Sequence, residues 1–127
     1  MTKISNHVKL LIMLVSSYEF GRIVVDSRRF NSDIILSNDG ILNASWWRKE
    51  GHRVTKDDIR EILEYSPEVV IFGTGYHGIV KVDREVEDLF KSKGVKVEKL
   101  KSAEAVKRFN ELAKRDRRVV LAIHLTC

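Results

Sequence analysis

Residues 69–78 read Val69-Val70-Ile71-Phe72-Gly73-Thr74-Gly75-Tyr76-His77-Gly78. Four apolar residues in a row, three of them β-branched, predict a buried strand rather than a half-exposed one. Glycines then end the run at once. Upstream, Thr55 with Asp57 and Asp58 behind it predicts a helix start, because a cap oxygen and first-turn carboxylates favour the unpaired N–H groups there. Ile59, Ile62 and Leu63 fall on one face of that helix, and Pro67 closes it. Downstream, Asp83 caps a second helix with Val86, Leu89 and Phe90 inward, and Gly94 ends it in the left-handed region. Val95-Lys96-Val97 is the next strand. Ser102 caps a third helix with Val106, Phe109, Leu112 and Ala113 inward. Residues 119–123 (VVLAI) form a last strand of wholly apolar type. Strand, helix, strand, helix, strand with apolar strands predicts a parallel β-α-β-α-β half with right-handed crossovers.

The N-terminal half reads differently. Residues 21–25 (GRIVV) make a β-branched strand, Asp26-Ser27 supplies turn chemistry, and Ile34-Ile35-Leu36 is a short buried run. Asn38-Asp39-Gly40 predicts a hairpin turn, since Asp-Gly accepts positive φ cheaply, and Ile41-Leu42 starts the return strand. This is an antiparallel meander, expected to extend or cover the parallel sheet. Residues 8–15 (VKLLIMLV) are too short to span a bilayer, which needs roughly 20 apolar residues. Lys9 interrupts them, and no small-residue cleavage site follows as in a secretory signal. Residues 1–12 are therefore read as an N-terminal extension, with Met13 as an alternative native start. Residues 13–127 are read as a single domain of a cytoplasmic protein that contacts no membrane.

At 127 residues, the chain is the size of one domain. With 43% hydrophobic and 32% charged residues it is globular rather than disordered. With a single cysteine, Cys127, neither an intramolecular disulfide nor a thiolate zinc site is expected. The net charge of +5 is uneven: residues 91–127 hold 11 basic and 4 acidic side chains. Such a segment could meet nucleic acid or another anion. Lys91, Lys93, Lys96, Lys99 and Lys101 instead fall where a helix end and a strand face solvent. No aromatic or Gly-rich nucleic-acid motif accompanies them, so nucleic acid is not the expected partner. Glutamine is absent and Lys, Arg and Glu are abundant. That bias resembles the composition of thermophile proteins.

Three constellations carry candidate chemistry. The first is the loop Gly73-Thr74-Gly75, placed where ligands sit in open α/β sheets and able to offer N–H groups to an anion. Its G-x-G-x-x-G spacing does not make a dinucleotide site. No helix opens directly after it, and Val97-Glu98-Lys99 does not end a strand as a ribose-binding acid would. The second is Trp46-Trp47-Arg48 with His52. Adjacent tryptophans point to opposite sides, so one is core and one exposed. Arg48 could hold an anionic ligand bidentately, or form a structural ion pair with Asp33. The third is His124-Leu125-Thr126-Cys127, ending the last strand on the same sheet edge as the glycine loop. A histidine beside Cys127 makes a nucleophile conceivable. His52, His124 and Cys127 lack local ligand spacing, so neither a metal site nor any other cofactor is expected.

Taken together, Phe20-Gly21, Asp33, Trp47-Arg48, His52, Asp58, Gly73-x-Gly75 and Ile79-Val80-Lys81-Val82 form a pattern. Glu104-Ala105-Val106-Lys107-x-x-Asn110 and His124-x-Thr126-Cys127 are its most specific parts. Over residues 18–127 the chain resembles the small domain shared by the mitochondrial complex I assembly factor three and the adipogenesis-associated domain protein. Stand-alone archaeal and bacterial members are catalogued as a domain of unknown function. The resemblance implies a three-layer α/β domain with a mixed sheet. It implies no established enzymatic activity, and a role as a binding partner in assembly.

The expected function is a non-catalytic binding or assembly module. Asp33, Trp47, Arg48, His52, Gly73, Thr74, Gly75 and Thr126 would line a pocket for a small anion or a protein partner. The alternative is a small thiol enzyme, with Cys127 as nucleophile, His124 or His52 as base, and the N–H groups of Thr74 and Gly75 as oxyanion hole. A second alternative is a nucleic-acid or anionic-surface binder that uses the basic C-terminal third.

Overall fold

The computed structural model describes residues 12–127. Among these residues, ten strands and three α-helices form three layers. Strands β1 (Val15–Glu19), β2 (Arg22–Val25) and β3 (Arg28–Phe30) make an antiparallel three-stranded sheet. Strands β4 (Ile34–Ser37) and β5 (Gly40–Asn43) form a hairpin that joins the main sheet. After β6 (Arg53–Val54) and a 3₁₀ turn (Lys56–Asp58) come α1 (Arg60–Tyr65), β7 (Val69–Thr74), β8 (Lys81–Val82), α2 (Arg84–Ser92), β9 (Lys96–Leu100), α3 (Ser102–Lys114) and β10 (Val119–His124). The main sheet has the order β5-β4-β10-β7-β9, and β6 pairs with β8 in a separate parallel ribbon.

The sheet is mixed, as expected. β7 is parallel to β10 and to β9, while β4 runs antiparallel to β10. The N-terminal meander, however, divides: its last hairpin extends the main sheet, and β1–β3 cover it as a layer of their own. The β7-to-β9 and β9-to-β10 crossovers run in opposite directions along the sheet. Their helices consequently pack on opposite faces, as crossovers of one hand must. Alternation along β10 sends Val119, Leu121 and Ile123 to the face covered by α3 and β1–β2, against Phe109, Leu112, Ile23 and Val25. Val120 and Ala122 face the other way, onto Ile59, Ile62, Val86 and Phe90. Burying each such large side chain contributes about 1.5–3 kcal/mol.

Several local expectations shift in detail. Thr55 does start the first helical segment: its N–H and hydroxyl both donate to Asp58 Oδ2, at 2.7 and 3.0 Å. Asp83 stands at the N-cap of α2, but its carboxylate is held by Arg53 at 2.7 Å instead of capping the backbone. Lys101, not Ser102, is the N-cap of α3, and Ser102 is the first helical residue. The β4–β5 turn forms without a positive φ at Asp39 or Gly40, because Ser37 Oγ accepts from both of their N–H groups. The positive-φ pair is instead Asp26-Ser27, with φ 48 and 68, in the two-residue β2–β3 turn. Gly94 ends α2 with φ 76, as expected.

The expected extension falls mostly on residues 1–11, which lie outside the described residues; Ile12 and Met13 pack against the core. No helix among the described residues is long and apolar enough to cross a membrane.

On β9, Glu98 accepts two hydrogen bonds from Arg108 of α3, at 2.9 and 3.1 Å. These bonds outweigh its desolvation and hold its carboxyl below the usual range. A lowered folded-state pKa contributes stability above the unfolded value, and that contribution is lost as pH falls through the folded one. Urea unfolding of Glu98→Gln should show a loss of about 0.5–1 kcal/mol at neutral pH. The difference from the parent should close as pH drops below about 4.

Candidate functional site

The carboxyl edge of the main sheet is organised around Asp33, just before β4. The β4–β10 register pairs Ile34 with Ile123, which puts Asp33 level with His124. Asp33 Oδ1 accepts the Leu125 N–H at 2.8 Å, so the side chain continues the ladder past the end of the strand. Its backbone carbonyl accepts the Trp46 N–H at 2.7 Å. Its Oδ2 takes Arg48 Nη2 at 2.8 Å and His124 Nδ1 at 2.6 Å. The ion pair with Arg48 that the sequence suggested is present and buried.

Arg48 is only 5% exposed. Its guanidinium lies over the Trp46 ring, 4.4 Å from the centroid, and Nη2 also donates to the Gly51 carbonyl at 2.8 Å. Trp46 is fixed in turn by its indole N–H, which donates to the Asp58 carbonyl at 2.9 Å. Arg48 Nη1 is buried with no hydrogen-bond partner among the described residues.

With both Nη2 protons used by Asp33 and Gly51, His124 Nδ1 carries its own proton and donates it to Asp33. In the neutral ring, Nε2 then carries the lone pair. It faces Thr126 Oγ1 at 3.2 Å. Burial alone would raise the Asp33 carboxyl. The bonds from His124, the Leu125 N–H and Arg48 together outweigh burial and hold it below the usual range.

Beyond β10 the chain lies against the glycine loop. Tyr76 N–H donates to the Thr126 carbonyl at 2.6 Å, and Gly21 N–H to the Leu125 carbonyl at 2.9 Å. Gly75 has φ 106, and a Cβ there would stand 2.4 Å from the Cys127 carbonyl oxygen. The glycine thus admits the backbone of Cys127. Its N–H is also spoken for, donating to Ser102 Oγ at 2.9 Å, while Ser102 donates to the His124 carbonyl at 2.6 Å. An oxyanion hole that uses Gly75 N–H is therefore not assembled. Thr74 is buried, and its hydroxyl donates to the Leu100 carbonyl. Ser102 was legible only as a helix cap; its displacement by one position makes it the tie between two strand ends.

Cys127 Sγ lies 3.5 Å from His52 Nε2, and the His52 and His124 rings meet edge to face at 5.8 Å. The structure thus unites Asp33, Arg48, His124, Thr126, His52 and Cys127, drawn from three segments. Gly73 and Thr74 stay inside the sheet. Trp47, the exposed member of its pair, is 77% exposed. In the basic C-terminal third the five lysines at 91, 93, 96, 99 and 101 are exposed, as expected. Lys99, Arg108 and Arg117 pair with Glu87, Glu98 and Glu68.

A family described as "Protein of unknown function (DUF498/DUF598)" matches residues 15–124. The chain belongs to this family. Solved structures superpose on the chain over most of their length. The protein MT938 is 28% identical, with 91% of this chain and 99% of that one covered at a TM-score of 0.75. A protein described as an outer membrane protein from Bartonella henselae is 25% identical, covering 87% and 94% at a TM-score of 0.72. The conserved hypothetical protein PH1505 from Pyrococcus horikoshii OT3, at 23% identity, shares the fold, covering 89% and 98% at a TM-score of 0.75. The expectation of a three-layer α/β member of this domain family is met.

Two substitutions test this geometry. Asp33→Asn leaves the Arg48 guanidinium buried without a counter-charge and should lower unfolding free energy by about 3–5 kcal/mol in urea titrations. Gly75→Ala places a Cβ against the Cys127 carbonyl at a strained φ. It should cost about 1–3 kcal/mol, with a thermal midpoint lower than the parent's.

Proposed function

We propose that this protein is a non-catalytic binding module of assembly type that engages a protein partner through the carboxyl edge of its sheet. One observation carries this reading. Among the described residues the exposed large apolar side chains are Phe20, Trp47, Tyr76 and Ile79, at 55, 77, 50 and 46%. All four sit on loops tied to that edge. Phe20 lies in the β1–β2 turn beside Gly21, which bonds to Leu125, and its ring meets Tyr76 edge to face at 5.7 Å. Tyr76 bonds to Thr126 and meets His77 edge to face at 5.1 Å. Trp47 adjoins Arg48, and Ile79 lies in the loop that leads into the β6–β8 ribbon beside His52.

Exposed aromatic residues grouped on one face mark interaction sites, whereas scattered ones do not. Trp and Tyr are also the side chains that most often anchor a protein interface. The buried Asp33–Arg48–His124 network beneath gives the loops a rigid base, so little ordering entropy opposes binding. The resemblance to the domain of the mitochondrial complex I assembly factor three and the adipogenesis-associated protein supports the same reading. We place the protein in the cytoplasm, where Cys127 would remain a thiol.

Photo-crosslinking in the native lysate tests this. A benzoylphenylalanine at position 47 or 76 should give the same discrete protein adduct. One at Lys114, at the far end of α3, should not. Absence of an adduct, or an equal one from position 114, overturns the proposal.

A further inference from the structure

We propose that His52, His124 and Cys127 form a binding site for a zinc-class transition metal ion, a function beyond the partner surface above. The donor atoms of all three lie within 4.8 Å of one another. Tetrahedral zinc, with Zn–N of about 2.0–2.1 Å and Zn–S of about 2.3 Å, sets N···S edges of about 3.6 Å and N···N edges of about 3.3 Å. The His52 Nε2–Cys127 Sγ separation is already 3.5 Å. Closing the remaining edges, now at most 4.8 Å, takes a shortening of up to about 1.2–1.5 Å, within reach of side-chain rotations of the exposed His52 and the half-buried Cys127.

Three further features prepare the site. Asp33 takes the Nδ1 proton of His124 at 2.6 Å. That is the carboxylate–imidazole pairing that fixes a metal-binding histidine and leaves Nε2 as the ligand atom. Gly75 keeps the ligand edge open, since a Cβ at that position would stand 3.1 Å from His124 Cδ2, the carbon next to Nε2. The nearby guanidinium of Arg48 approaches the opposite, Nδ1 edge of the ring and is neutralised by Asp33. Two imidazoles and a thiolate make a borderline-soft set that suits zinc. On binding, Cys127 releases its thiol proton to solvent, Thr126 gives up its contact with Nε2, and water takes the fourth corner.

The test uses the full chain freed of metal by chelator and titrated with Zn²⁺, or with Co²⁺ as a spectroscopic stand-in. Cobalt should give a thiolate-to-metal charge-transfer band and d–d bands of tetrahedral intensity. Zinc should protect Cys127 from alkylation. Cys127→Ser should abolish the charge-transfer band. Cys127→Ser and His52→Ala should each weaken zinc binding by more than about 100-fold, beyond the roughly 10–100-fold effect of losing an outer-shell partner. His52 is exposed and Cys127 half-buried, and Ser is close to Cys in size, so the variants should keep the parent's circular dichroism. His77→Ala, at a neighbouring exposed histidine outside the set, should bind as the parent does. A cobalt spectrum without the thiolate band, no zinc protection of Cys127, or equal zinc affinity in Cys127→Ser overturns the proposal. Partner crosslinking at positions 47 and 76 is read separately, so each idea fails independently.

Discussion

One carboxylate holds the carboxyl edge of this protein together. Asp33 joins three stretches of chain: its own approach to β4, the loop that carries Trp46 and Arg48, and the end of β10 through His124 and the Leu125 N–H. Each partner is itself buried or half-buried, so the group is costly to leave incomplete. Arg48 could not lie over Trp46 in an apolar setting without a counter-charge, and the loop above it would lose its anchor. The packing of Trp46 on Asp58 extends the same constraint to the start of α1.

The chain beyond β10 follows from that anchor. Once Leu125 is fixed, Thr126 and Cys127 run across the glycine loop and between the β1–β2 turn and Tyr76. A loop that resembles a phosphate cradle in sequence is here a bed for Thr126 and Cys127 of the same chain, with Ser102 stitching β7, α3 and β10 together. The aromatic residues at the surface are displayed by loops that this bed holds still.

Most of the architecture was legible because it rests on local chemistry. Apolar runs marked β7 and β10, Pro67 and Gly94 marked helix ends, and the Asp26-Ser27 turn announced its hairpin. The Asp33–Arg48 pair was legible as a structural alternative, since a buried arginine needs a carboxylate. What the sequence did not show was non-local or depended on one residue of register. His52 and Cys127, paired in the sequence only as one base–nucleophile alternative, are 75 positions apart, and only the meeting of three segments makes them neighbours. Ser102 read as a cap because Ser usually caps. Lys101 takes that position, which frees the Ser102 hydroxyl for two strand ends. The division of the meander into two sheets was hidden because strand patterning is the same in either sheet.

The basic C-terminal third acquires a meaning once β9 is seen to close one side of the main sheet. An outermost strand offers unpaired N–H and C=O groups to any passing extended chain. Here the strand carries Lys96 and Lys99 exposed, with Glu98 turned onto Arg108. A strand adding at that edge would have to strip water from two ammonium groups and disturb the ion pairs beneath them. The positive charge that first invited thoughts of a polyanion is thus also an insulator, and it keeps a five-stranded sheet from becoming a longer one.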